Sequence, residues 1–187
     1  MDINKSDILK KPRSVFIISD EKGMIKPAIL KVLNTHFKAE KDVFVFSFNS
    51  DLKEFDEISL IIRESLVSVL IINDFIGPLE RLKELIGLIN AEGALIYNSD
   101  NINLKDLKAE RTFTKYTFGF DEKSDFKASD LNLNGGINFK INFKQNFVPF
   151  WIEKKADEKE EILAALAATS LGMFFGLHLI EISQALK

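Results

Sequence analysis

The sequence predicts an α/β fold: a mostly parallel sheet flanked by helices, then a C-terminal antiparallel hairpin unit and two closing helices. Three observations predict it. Short apolar runs alternate with amphipathic stretches of helical period over the first two-thirds of the chain, as in parallel strands joined by right-handed crossovers. Two segments of alternating apolar and polar residues flank Asn134-Gly135-Gly136, a hairpin signal because Asn and Gly tolerate positive φ. From Ile162 to Ile180 no residue carries a formal charge, His178 aside, which marks a segment built for burial.

The elements follow in order. Ser14 to Ile18 reads as a buried strand. Pro27 opens a helix with apolar positions Ile29, Val32, Leu33 and Phe37. Val43 to Phe48 is a second strand. Asp51 to Leu66 is a helix with Phe55, Ile58, Ile61, Ile62 and Leu66 on a broad apolar face. Val67 to Ile72, apolar apart from Ser68, suits a strand covered on both faces. Pro78 opens a helix apolar at Leu79, Leu82, Leu85, Ile86 and Ile89, with Gly93 as its stop signal, and Ala94 to Tyr97 is a fourth strand. Phe113 to Phe120 reads as a strand, Phe126 to Leu133 and Ile137 to Phe143 as the hairpin arms, and Lys144-Gln145-Asn146 turns the chain into Phe147 to Ile152. Lys154 to Glu161 is a charged linker in which Asp157 and Glu160 form a capping-box pattern. Gly172 and Gly176 read as helix breaks, giving two short buried helices, the last near Leu179 to Leu186. The expected organisation is one domain, 1–187, with a parallel α/β part at 13–100, antiparallel strands at 112–152 and closing helices at 157–187. The phenylalanines, Phe150 and Trp151 are expected in the core.

Composition narrows the function. With 187 residues, 46% of them hydrophobic, a substantial core can form and disorder is not the default. The net charge of −3, without a long basic stretch, argues against nucleic acid. The absence of cysteine removes disulfides, thiolate metal sites and cysteine catalysis. The first residues lack a secretory signal, so a cytoplasmic location is expected. The 162–180 run has about the length of a bilayer span, but its Gly, Ser, Thr and Ala content makes it weakly apolar. A membrane tail is the minor alternative.

The loop between the first strand and first helix is the main candidate site. A strand, a tight loop and a helix N-terminus form an anion site, because unpaired N–H groups and the helix dipole point into the loop. A phosphate loop also needs glycines for close backbone approach and a Lys followed by Ser or Thr. Here the loop is Ser19-Asp20-Glu21-Lys22-Gly23-Met24-Ile25-Lys26, with one glycine, two carboxylates and no hydroxyl after either lysine. Lys22, Gly23 and Lys26 are its candidate nucleotide contacts.

The later motifs resemble a known family. Gly93 to Asp100, Tyr116-Thr117-Phe118-Gly119-Phe120, Asp125 to Asp130, the hairpin and the tail from Ile162 through Gly176, Ile182 and Leu186 together resemble the late central domain of Mur ligases. The nearest flavour is the ligase that adds D-alanyl-D-alanine to the muramyl tripeptide. The resemblance is best from about Val67 onward; before that the domain looks shortened. It implies a Rossmann-like domain from an ATP-dependent amide ligase of peptidoglycan precursor synthesis, working with Mg²⁺ through an acyl phosphate and flanked by two further domains. On that resemblance the phosphate loop falls at Ser19 to Lys26 without its Gly-Lys-Thr core. Asn49 to Phe55 leaves no room for the metal-binding Glu, and Asn73 to Pro78 lacks the metal-holding His. Lys83 falls where the family carries a carbamylated lysine. Asn98, with Asp100 beside it, falls where an Asn approaches adenine.

Each candidate also has an ordinary structural reading. Lys83 sits on a helix whose apolar face is already assigned, which is the place of a solvated lysine. Asn98 to Asn101 suits a turn after a strand. His36 and His178 lack partners at ligand spacing, so no metal site is expected. Asp20 with Glu21 reads as a solvated acidic loop before it reads as a cation site. Glu122, Asp125 and Asp130 read as strand-edge charges. The leading expectation is a reduced Mur-like central domain, catalytically incompetent alone, that acts as a binding or scaffold module. The alternatives are a subunit of a split Mur-type ligase using ATP and Mg²⁺, with a partner protein supplying the missing domains, and a membrane-tail interaction protein.

Overall fold

The computed structural model describes residues 14–37, 43–48, 54–104, 107, 113–155 and 157–187. The strands are β1 (Ser14–Ser19), β2 (Phe44–Phe48), β3 (Val67–Ile72), β4 (Ala94–Asn98), β5 (Thr114–Gly119), β6 (Phe126–Asn132), β7 (Ile137–Phe143) and β8 (Asn146–Ile152). They form one sheet in the order β2-β1-β3-β4-β5-β6-β7-β8. The helices are α1 (Ile25–Leu33), α2 (Phe55–Glu64), α3 (Leu79–Leu88), α4 (Glu158–Phe174) and α5 (Leu179–Ala185). The α/β class and the antiparallel unit β6-β7-β8 agree with the sequence reading.

Strand alternation sorts the central residues into two cores. Phe16, Ile18, Val69, Ile71, Ala94, Ile96 and Phe118 face α1, α4, α5 and the inner side of the antiparallel unit. Ile17, Leu70, Ile72, Leu95 and Tyr97 face α2 and α3. The fully buried side chains each contribute about 1.5–3 kcal/mol by leaving water, and the double covering explains why β3 and β4 are apolar at almost every position. Helix α4 is buried on all sides from Glu161 to Gly172. It fills the space between α1 and the sheet, and its hydroxyls turn inward: Thr169 Oγ1 donates to Ala165 O at 2.7 Å and Ser170 Oγ to Leu166 O at 2.8 Å. The Asp157 carboxylate caps it, accepting from the backbone N–H groups of Lys159 and Glu160 at 3.0 and 3.3 Å.

Several expectations are corrected. β5, placed with the antiparallel strands at 112–152, runs parallel to both β4 and β6. The long connection after Asn98 returns the chain to the starting edge of the sheet, which is what parallel pairing requires. Helix α1 begins at Ile25 rather than Pro27, and Pro27 sits in its first turn, where a missing N–H costs little. Helix α2 starts at Phe55; residues 51–53 lie outside the described residues, and Leu66 is exposed. Gly93 does not stop α3, which ends at Leu88. Its N–H closes a turn on Asn90 O at 3.0 Å, and a methyl group added there would lie 2.3 Å from Ser68 O, so the glycine allows two chain segments to touch. Gly172 lies inside α4, where a methyl group would meet Ile182 Cδ1 at 2.7 Å and Val32 Cγ1 at 3.1 Å; Gly176, at φ +80°, is the residue that ends the helix region. The uncharged run is therefore divided between two helices, and no helix among the described residues is long and apolar enough to cross a membrane. Phe150 is buried, but Phe147 is 60% exposed and Trp151 40%, the Trp151 indole N–H donating to Gly135 O at 3.1 Å.

The β5–β6 pairing is short. Only Phe118↔Phe126 and Gly119↔Lys127 are in register, so β6 starts where β5 ends and the antiparallel unit rises past the carboxyl edge of the parallel strands. Below that junction the side of β5 away from β4 has no neighbouring strand among the described residues.

Candidate functional site

The carboxyl edge of β1, β3, β4 and β5 carries a continuous belt of polar groups, the usual place for ligands in an open α/β sheet. Each strand leaves the core on a small or polar residue. Ser19 ends β1 and its hydroxyl donates to Asp74 O at 2.6 Å, while Asn73 N–H donates to Ser19 O at 3.0 Å. Asn98 ends β4; its Nδ2 donates to Asn73 Oδ1 at 3.0 Å and its Oδ1 accepts from Asp100 N–H at 2.9 Å. The Asp100 carboxylate accepts from Phe120 N–H at 2.8 Å and Asp121 N–H at 2.9 Å, fastening the turn after β5.

The β1–α1 loop is held by its own acids. Asp20, 6% exposed, accepts the Ile25 N–H of the helix N-terminus on Oδ2 at 2.7 Å. Its Oδ1 is buried with no hydrogen-bond partner among the described residues. Glu21 N–H is taken by Asp74 Oδ1 at 3.0 Å, and Gly23 N–H by Asp20 O at 3.2 Å in a turn that Gly23 closes at φ +67°. Pro27 has no N–H to offer. The Lys22 ammonium is turned away to Glu160 Oε1 of α4 at 2.9 Å, and that bond holds it above the ordinary lysine range. A carboxylate of this chain thus already sits on the first N–H of α1, where an external anion would bind.

Burial pushes the Asp74 carboxyl above the usual carboxylate range; the bond from Glu21 N–H opposes this, and the charges of Asp20, Glu21 and Glu160 add to the rise. A folded-state value above the unfolded one means that the stability this group contributes is fully present below the unfolded value and is lost as pH rises through the folded value. Asp74→Asn keeps an oxygen for Glu21 N–H and removes the charge. It is expected to raise the unfolding temperature at pH 7, with the advantage over the native chain vanishing below about pH 4. Thermal unfolding followed by circular dichroism across that range checks the sign.

The sequence-derived candidates separate into three places. Lys22, Gly23 and Lys26 lie together in the β1–α1 loop, with Lys22 and Gly23 exposed and Lys26 half-buried. Asn98 and Asp100 lie on the same edge, joined to the loop through Asn73 and Asp74, with their side-chain oxygens occupied by backbone N–H groups. Lys83 is exposed on α3, whose buried positions are Leu82, Leu85 and Ile86. Asn73 and Asp74 were missed as site residues, although polar residues directly after an apolar strand were the available signal. His36 follows α1 and is exposed; His178 precedes α5 and gives its N–H to Glu181 Oε2 at 3.0 Å. No group of three His, Asp or Glu residues able to hold a metal ion occurs among the described residues.

Nearly the whole of this fold is shared with solved Mur-type ligases, as the motif resemblance implies. Similar solved structures are MurF from Acinetobacter baumannii (TM-score 0.72, 15% identity, 96% of this chain and 47% of that one), MurF ligase from Thermotoga maritima in complex with ADP (0.71, 12%, 96% and 50%) and a pseudomurein peptide ligase type C from Methanothermus fervidus (0.68, 15%, 98% and 51%). The chain spans about half the length of these structures. No protein-family model and no curated protein matches it.

Proposed function

We propose that this chain is a reduced Mur-ligase-like central domain that holds no nucleotide by itself and serves as a binding or scaffold module. One observation carries the reading: the Asp20 carboxylate occupies Ile25 N–H at 2.7 Å. A triphosphate arriving there meets negative charge in place of donors. The residues do not fit Mg-ATP in other respects. Pro27 removes a donor, Glu21 and Gly23 N–H are spent inside the loop, Lys22 is paired with Glu160, and no hydroxyl follows a lysine to hold Mg²⁺. No reaction step is assigned to the nucleotide.

Calorimetry with Mg-ATP and Mg-ADP tests this. The expected result is no saturable heat up to about 1 mM nucleotide, a binding free energy weaker than about −4 kcal/mol. A dissociation constant in the low micromolar range overturns it.

A second reading is a subunit of a split Mur-type ligase. It is supported by Lys83 and Asn98, which fall where the motif resemblance puts a carbamylated lysine and an adenine-facing Asn. It predicts ATP hydrolysis or amide formation only in an assembly co-purified with a partner chain; an inactive assembly rules it out.

A further inference from the structure

We propose that the notch beside the lower half of β5 takes an extended acidic peptide segment of a partner protein as an added strand. This site is separate from the β1–α1 loop and independent of any nucleotide. Thr114 N–H donates to Gly93 O at 3.3 Å and Phe118 O accepts from Ser99 N–H at 2.9 Å, so the even-numbered residues of β5 bond toward β4. The odd-numbered residues therefore face the other side. There Thr117 N–H is taken by Asp125 Oδ2 at 2.8 Å, and Gly119 is paired with β6. The backbone N–H and C=O of Lys115 point into the notch with no strand beside them among the described residues. Added strands bind sheet edges through such main-chain groups, while alternate side chains give specificity.

The notch is about 440 Å³ and is lined by Lys115, Tyr116, Asp125, Lys127, Phe143 and Lys144, among others. Tyr116 packs edge-on against Phe143 at 5.9 Å between ring centroids, giving one side of the notch an aromatic surface. Lys127 is paired with Glu122 at 2.7 Å. The Lys115 ammonium reaches Leu107 O at 3.0 Å and lies 5.2 Å from the centroid of the Tyr97 ring in β4, and that of Lys144 lies 5.1 Å from the Phe143 ring centroid; neither has a carboxylate partner among the described residues. In a chain of net charge −3, two cations without carboxylate partners beside an open strand edge favour an acidic partner. An alternating sequence fits, with acidic residues on the Lys115 side and aliphatic ones on the Tyr116 and Phe143 side.

The opening selects a single segment over a folded sheet edge. The unpaired part of β5 is short, about 13 Å for four residues, and the β7–β8 turn and the loop before β6 close it in. The far edge of the sheet, by contrast, is closed. Pro149 has no N–H in the middle of β8, and its carbonyl accepts from Ser183 Oγ of α5 at 3.0 Å.

The probe is the acetylated, amidated hexapeptide Glu-Val-Glu-Val-Glu-Val, titrated into the ¹⁵N-labelled full chain. The expected result is saturable shifts centred on the Lys115 and Thr117 amides, slowed exchange of the Lys115 amide, and a dissociation constant in the micromolar range. Methylation of the central peptide nitrogens and the double substitution Lys115→Glu with Lys144→Glu are each expected to weaken binding at least about tenfold. If the double variant does not give a dispersed spectrum, Lys144→Glu alone, in an exposed turn, takes its place with an expected loss of about threefold. No shifts at about 2 mM peptide, shifts centred elsewhere, or affinity indifferent to backbone methylation or charge reversal overturns the proposal. Nucleotide binding at the β1–α1 loop leaves it untouched.

Discussion

Phe126→Ala is expected to destabilise the fold by about 3–5 kcal/mol, the range for truncating a fully buried aromatic ring. At this chain length that corresponds to a fall in unfolding temperature of roughly 10–15 °C. Phe126 is 0% exposed, stacks on Phe143 with ring centroids 4.2 Å apart and meets Tyr116 edge-on at 5.3 Å. It is also the first residue of β6 and half of one of the two rungs that join the antiparallel unit to the parallel sheet. Few backbone bonds cross that junction, so much of its cohesion lies in these rings. The loss is therefore expected to be uneven: hydrogen exchange should speed up first in β6, β7 and β8, before β1 and β3. Uniform acceleration, or a loss below about 1 kcal/mol, contradicts this account.

Gly93→Ala is the second large effect. The added methyl group would sit 2.3 Å from Ser68 O and 2.7 Å from Ile89 Cγ2. Ser68 belongs to β3, whose pairing with β1 and β4 fixes its carbonyl in place. The clash cannot be relieved by turning a side chain, and one of the two backbone segments must shift. Overpacking against main chain costs about 3 kcal/mol, measurable by urea unfolding as a lower midpoint with an unchanged slope. The comparison Gly87→Ala, on α3 with nothing within 4 Å of the added methyl group, is expected to be neutral or stabilising. Equal effects at the two glycines contradict the close-approach explanation.

These two residues also show what a sequence reveals. Periodicity located β3 to its ends and the buried faces of α2 and α3, because a strand covered on both sides and a helix covered on one leave distinct patterns. Gly93 was visible as a glycine near a helix end, but its reason lies across the sheet in Ser68, and local spacing carries no trace of that neighbour. β5 was visible as a strand but not in its direction: Thr114 to Gly119 has the same alternation whichever way its neighbours run. Gly172 looked like a break because helix propensity is local, whereas the room it provides for Ile182 and Val32 is tertiary. At the candidate site, the acidic character of Ser19 to Lys26 was plain in the residues. That Glu21 N–H turns onto Asp74 depends on β3 lying beside β1, which only the folded sheet supplies. Asn98 and Asp100 carried the right residue types for a ligand, yet their oxygens are spent on backbone groups.

Helix α4 dictates when the protein can be finished. Its Gly172 rests against Val32, so α1 waits for a partner that a ribosome delivers only after all eight strands have been made. Until then one whole side of the nascent sheet, from Phe16 to Phe118, stands wet and adhesive. Contacts this distant along the chain slow folding and leave incomplete chains prone to aggregation. A ribosome stalled before residue 158 would display a sheet with an uncovered greasy side, a natural target for a chaperone.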